Sequence, residues 1–178
     1  ANCSFSPISA CSSSRIFIRT ITTGSKVFAV ALKKNSGLLS GSTYSFSVYS
    51  FAHNGTLLGT RDIATSSVPG GAADVVVISP SGKPQLAWKG KDGFVKSTPI
   101  DSTDTKGATL QSASPKDFDG QYVRLTELGN AAVDKGFFAA QREDGKGEIF
   151  KITPDGKLKM IQESEEKAHD AVWSSCLD

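Results

Sequence analysis

Two tryptophans, three tyrosines and a spread of carboxylates and amides are the side chains here that could meet a ligand. Trp88 lies between Gln85 and Asp92. An indole face with an amide and a carboxylate nearby is a set that can hold a sugar ring by stacking and hydrogen bonding. Tyr122 with Asp119 and Arg124 is a second such set, and Trp173 near His169 is a third. A large aromatic in a small domain also serves as core, and the two uses make opposite demands on exposure.

Catalytic patterns are scarce. The chain has no Gly-x-Ser-x-Gly, no phosphate-binding loop, no Gly-x-Gly-x-x-Gly and no His-Glu-x-x-His. Cys176 and His169 could pair as nucleophile and base only if Cys176 is a free thiol. His169-Asp170 is poor material for a triad, because neighbouring residues diverge on a strand and on a helix alike. Paired carboxylates are the remaining enzymatic route. Asp117, Asp119, Glu127, Asp134, Glu143, Asp144, Glu148 and Asp155 offer many combinations for a small glycoside hydrolase. Asp101 with Asp104, and Asp117 with Asp119, lack the spacing of a calcium loop. Two histidines and three cysteines without Cys-x-x-Cys give no structural zinc site. No metal and no cofactor is expected.

The elements that must carry these residues read as strands. Period-2 or continuous apolar patterns cover 15–20, 26–32, 43–51, 56–60, 74–79, 85–89, 94–96, 108–111, 121–128, 135–141, 148–152 and 157–161. The alternation of 43–51 shifts near Tyr49 and Phe51, which implies a bulge. Ser164–Val172 reads as a short helix capped by Ser164, and Thr126–Val133 as a weaker one broken by Gly129. Residues 97–107 read as a polar loop. The expected fold is all-β, about eleven or twelve short strands in one domain over 15–178, behind a Ser-rich arm at 1–14.

A weak repeat runs through the chain. Residues 81–96 (SGKPQLAWKGKDGFVK) and 144–159 (DGKGEIFKITPDGKLK) share Gly-Lys, an aromatic strand, Asp-Gly and an apolar strand. Residues 49–57 repeat the last part around Asn54-Gly55. Such turns favour type I′ hairpins, with glycine taking the positive φ. Three units of about 50 residues with four strands each would make a β-trefoil. The Asp-Gly-x-apolar hairpins resemble those of trefoil lectins of the ricin B-chain kind, with the Gln-x-Trp element altered to Gln85-Leu86-Ala87-Trp88. That resemblance implies a trefoil fold. Another β-barrel or a β-sandwich is the alternative.

Compartment follows from the ends and the cysteines. The chain opens on Ala1, which fits removal of a leader, and Asn2-Cys3-Ser4 and Asn54-Gly55-Thr56 are N-glycosylation acceptors at Asn2 and Asn54. Cys3, Cys11 and Cys176 sit near the two ends, and a Cys11–Cys176 disulfide would tie those ends together, with a local Cys3–Cys11 bond as the alternative. The left-over cysteine could join a second copy into a dimer. Residues 1–89 hold eight Lys/Arg against two Asp/Glu, and 90–178 hold twelve against sixteen, so the halves differ in sign. Basic residues are scattered, so no nucleic-acid partner is expected. No run of 18 apolar residues exists, so no membrane span is expected. The expectation is a secreted or cell-wall protein that binds carbohydrate or an extracellular protein without catalysis. A protease inhibitor, a structural surface protein and a carboxylate hydrolase are the alternatives.

Overall fold

The structure, a computed structural model, describes residues 15–37, 41–63, 75–90, 92–101, 111–115 and 117–167. Its twelve strands are β1 (Arg15–Thr22), β2 (Val27–Gly37), β3 (Gly41–Phe51), β4 (Leu57–Ile63), β5 (Val75–Ile78), β6 (Gln85–Lys89), β7 (Val95–Pro99), β8 (Gln111–Ala113), β9 (Tyr122–Glu127), β10 (Phe137–Arg142), β11 (Lys146–Ile152) and β12 (Leu158–Lys167). A short α-helix, α1 (Asn130–Lys135), joins β9 to β10, and a 3-10 turn at Pro80–Gly82 follows β5. The strands form three antiparallel sheets of four, ordered β1-β2-β3-β4, β5-β6-β7-β8 and β12-β11-β10-β9. Each sheet is a meander of consecutive strands, and no strand ladder joins one sheet to another among the described residues.

The all-β expectation holds, and so does the grouping into three units of four strands. The trefoil is not confirmed. A trefoil closes strands from all three units into one barrel, and no closed barrel is present among the described residues. The sheets instead stack face to face in three layers.

Residue order explains the stacking. β5 is Val75-Val76-Val77-Ile78, apolar at every position, as a strand buried on both faces requires. Val75, Val77, Leu86 and Trp88 face the first sheet and meet Phe28, Val30, Leu32, Phe46, Val48 and Ile63. Val76, Ile78, Ala87 and Val95 face the third and meet Tyr122, Leu125, Phe138, Ala140, Phe150 and Ile152. Trp88 is fully buried and packs edge-to-face on Phe46, with ring centroids 5.4 Å apart. Polar clamps join the layers as well. Arg61 of β4 donates to the carbonyls of Pro99 (3.2 Å) and Ile100 beyond β7. Glu127 of β9 accepts from the Val77 N–H of the edge strand β5 at 3.4 Å.

Four hairpins share one turn. Gly55, Gly93, Gly145 and Gly156 all have φ between +79° and +90°. Their N–H groups bond to the carbonyls of Ala52, Gly90, Arg142 and Thr153, three residues back. In three of the four, the residue accepting that bond donates its own N–H to the carbonyl just past the glycine. This is a type I turn followed by a left-handed bulge residue, not the expected type I′ turn. Only the glycine needs positive φ, because neither Asn54 nor the Asp before each other glycine has it. The Asn54, Asp92 and Asp144 side chains each accept the N–H two residues on, which fixes the turn locally.

The structure changes four further expectations. Ser164 begins no helix: β12 runs to Lys167, paired with β11, and the Ser164 hydroxyl accepts the Gly147 N–H at 2.9 Å. Gly129 caps α1 instead of breaking a helix, and Thr126 belongs to β9. Residues 97–99 extend β7 rather than open a loop. The repeat was matched out of phase, since 81–96 spans the second and third strands of its sheet and 144–159 the third and fourth. The equivalent turns are Asp92-Gly93 and Asp144-Gly145, 52 positions apart (92 to 144). The bulge expected near Phe51 is present, as a register shift between Ser50 and Phe51 against β4.

Trp88→Ala should cost about 3–5 kcal/mol, because the cavity opens between two layers that cannot both collapse into it. Urea unfolding of the variant measures this. Gly93→Ala should also destabilise, by about 1 kcal/mol or more, since its φ is +79° and a Cβ there would strike the Gln121 side chain.

Candidate functional site

The structure separates the residues expected to form sugar sites. Trp88 and Tyr122 are fully buried core aromatics, so neither ring is an exposed platform, a correction that follows from the double-sided burial of the middle sheet. Gln85 is buried at the start of β6. Asp92 is exposed at its turn and pairs with Lys96 at 2.8 Å. Asp119 is exposed in the loop before β9. Asn54 and His53 are exposed at the β3–β4 turn. Trp173, His169, Asn2, Cys3, Cys11 and Cys176 lie outside the described residues.

Tyr122 instead anchors a buried charge network. Its hydroxyl donates to Glu148 Oε2, and Arg142 donates to Glu148 Oε1 at 3.3 Å. Arg142 also holds Asp144 at 2.6 Å and approaches Glu163 at 3.3 Å, and Lys146 binds Glu163 at 2.7 Å. Glu148 has no solvent exposure and the Arg142 side chain has 3%. Burial, then the bond to Glu148, pushes the Tyr122 hydroxyl far above its ordinary range. Burial works against charge on Asp144, but the Lys146 N–H and the Arg142 guanidinium outweigh it and hold the carboxyl low. Burial likewise opposes charge on Asp92, and its hydrogen bonds from Lys96 and the Phe94 N–H prevail. The Lys146 ammonium lowers Glu163. Each carboxylate of the network accepts from a cation of the same network, which ties β9, β10, β11 and β12 together as a clamp.

Above this clamp lies a surface cleft of about 500 Å³, lined by Phe94, Ser114, Pro115, Asp117, Phe118, Asp119 and Gly120. Its geometry follows from the two equivalent turns. The Tyr122 N–H bonds the Gly93 carbonyl at 3.0 Å, and the Glu143 N–H bonds the Gln121 carbonyl at 2.9 Å. The segment leading into β9 is therefore strapped to the second and third sheets together. Phe118 folds back over Gly120, where a Cβ would collide with the ring. Its ring also lies 4.7 Å from the Arg142 guanidinium carbon, which couples the cleft to the clamp. Asp117 adopts a left-handed φ of +54°. Phe94 is 39% exposed, and its ring receives the Lys96 ammonium at 5.8 Å.

Of the residues expected to hold a sugar only Asp119 lines this cleft, and of the other candidate carboxylates Asp117 does. Sequence reasoning missed Phe94 and Phe118 as lining residues. The available signal was an aromatic directly after an Asp-Gly turn, where the first strand residue emerges beside the loop. Among the described residues no group of three potential ligands could hold a metal ion. The chain matches no known family model and no curated protein.

Glu148→Ala should cost about 3 kcal/mol by removing the buried acceptor of the Tyr122 hydroxyl and one of the three carboxylates around Arg142. Asp92, Asp144 and Glu163 ionise more readily in the folded chain than in the unfolded one. Their stabilisation is therefore complete above the ordinary carboxylate pKa of about 4 and is lost as pH falls through the lower folded values. Thermal melts taken toward about pH 2 should show falling Tm, with a shallower fall in Asp144→Asn.

Proposed function

We propose that this chain is a secreted, non-catalytic carbohydrate-binding protein whose ligand site is the cleft between the β6–β7 turn and the loop entering β9. The carrying observation is the exposed Phe94 ring beside two exposed carboxylates, Asp117 and Asp119, in a cleft of about 500 Å³. An aromatic face takes the C–H side of a pyranose, and carboxylates accept from its hydroxyls. Carboxylates bound in the charge clamp argue against hydrolysis.

The scaffold fits the same reading. First strands of neighbouring sheets contact one another, β1 with β5 and β5 with β9. Consecutive four-stranded meanders with adjoining first strands are the pattern of propeller blades, and we propose the three sheets as a propeller-like array. Loops at blade junctions are where such arrays hold ligands, by analogy only. Secretion rests on the terminal cysteines and the acceptor asparagines, of which Asn54 is solvent-exposed at its turn. A Cys11–Cys176 bond and a dimer through Cys3 belong to this proposal.

A glycan and cell-wall polysaccharide array on the native protein, with Phe94→Ala beside it, is the test. Binding should weaken about tenfold or more in the variant while its Tm is kept. Absence of binding to every sugar on the array would defeat the reading.

A further inference from the structure

We propose that Asn54 is a site of spontaneous deamidation, converted to aspartate and isoaspartate in the folded chain. Four hairpins share one turn, and they differ at the residue before its glycine. Three of them carry Asp there: Asp92, Asp144 and Asp155. The fourth carries Asn54. Asn54 Oδ1 accepts the Thr56 N–H at 3.1 Å, as Asp92 and Asp144 accept from Phe94 and Lys146. The turn needs that oxygen, and none of its hydrogen bonds uses the Asn54 amide nitrogen. A carboxylate at this position is therefore compatible with the fold.

Of the four asparagines, Asn54 alone precedes a glycine. Asn35 is paired with Thr43 inside β2, and Asn130 opens α1 ahead of Ala131. Residues 53–58 are all exposed, and a Cβ on Gly55 would meet no atom within 4 Å. With no side chain on residue 55, its nitrogen has an open approach to Asn54 Cγ. The N–Cγ bond forms and the Cγ–Nδ2 bond breaks. Nδ2 leaves as ammonia with the Gly55 amide proton. Water then opens the five-membered imide. Opening at Cγ gives aspartate, which matches the other three turns. Opening at the main-chain carbonyl gives isoaspartate, which makes Oδ1 a main-chain carbonyl oxygen. That product lengthens by one atom the turn closed between Ala52 and Thr56 at 2.9 Å. The Ala52 carbonyl holds the Gly55 N–H, also at 2.9 Å, so conversion proceeds through local opening of the turn. Either product removes the Asn54-Gly55-Thr56 glycan acceptor.

This site is independent of the carbohydrate reading, since the β3–β4 turn belongs to the first sheet and the cleft to the other two. The test is incubation of the unglycosylated native protein at body temperature and mildly alkaline pH. Peptide mapping by mass spectrometry reads the amide-to-acid exchange at each asparagine, and an isoaspartyl methyltransferase labels the isomer. Asn54 should convert at least about tenfold faster than Asn35 or Asn130, whose backbones are held in β2 and α1. It should convert more slowly than in a free peptide of residues 49–60, where nothing holds the turn. Asn54→Gln should remove the isoaspartyl label, and Asn54→Asp should keep the Tm of the native chain. Conversion of Asn54 no faster than that of Asn35 and Asn130 overturns the proposal. Conversion only after unfolding in urea overturns it as well. A lowered Tm in Asn54→Asp overturns the claim that the turn accepts the aspartate product.

Discussion

Burial of the middle sheet on both faces is the constraint from which the rest of this structure follows. Strands β5 and β6 present apolar side chains to two neighbouring sheets at once, and Val95 of β7 adds to the second interface. Neither outer sheet can leave without exposing one of those faces to water, at roughly 25 cal/mol for each Å² uncovered. Trp88 concentrates the first interface and Phe138 with Phe150 the second, the latter pair stacked at 5.5 Å. Loop geometry is set by this arrangement, because the segment entering β9 must cross from the second layer to the third.

The crossing creates the cleft. Gln121 and Tyr122 are strapped by backbone hydrogen bonds to the turn of one sheet and the turn of the next. Phe118 is held from below by Arg142, itself fixed by Glu148 and Asp144. The clamp thus also fixes the Phe118 ring that lines the cleft, and neither Asp117 nor Asp119 belongs to its ion pairs among the described residues. A buried ion pair is a weak contributor to stability against an apolar core, and its geometric precision is the stronger reason to see one here.

Much of the fold was readable from residue order, and the failures share one cause. The continuous valines of β5, the Asn-Gly and Asp-Gly turns and the bulge near Phe51 are local signals, and they hold. Ser164 failed because Ser-Glu-Glu-Lys looks helical in isolation, while pairing with β11 is a long-range fact. Trp88 failed as a platform for the same reason: nothing near it in sequence reveals a second sheet on its far side. The repeat was seen but misphased, since an Asp-Gly turn closes both the second and the third connection of the last sheet. Glu148 carried an overlooked signal. It alternates with Phe150 and Ile152 on the inward face of β11, which already required a buried partner. Phe94 and Phe118 come together only through the layer crossing, so their shared cleft had no signature in either segment alone.

Native-state hydrogen exchange, resolved by strand, tests the central role of the middle sheet most directly. Amides of β6 and β7 should exchange last and only through global unfolding, with the outer strands β1 and β12 opening earlier. Exchange of the middle sheet before either neighbour, or independent opening of the first and third sheets with the middle one left protected, would contradict the account.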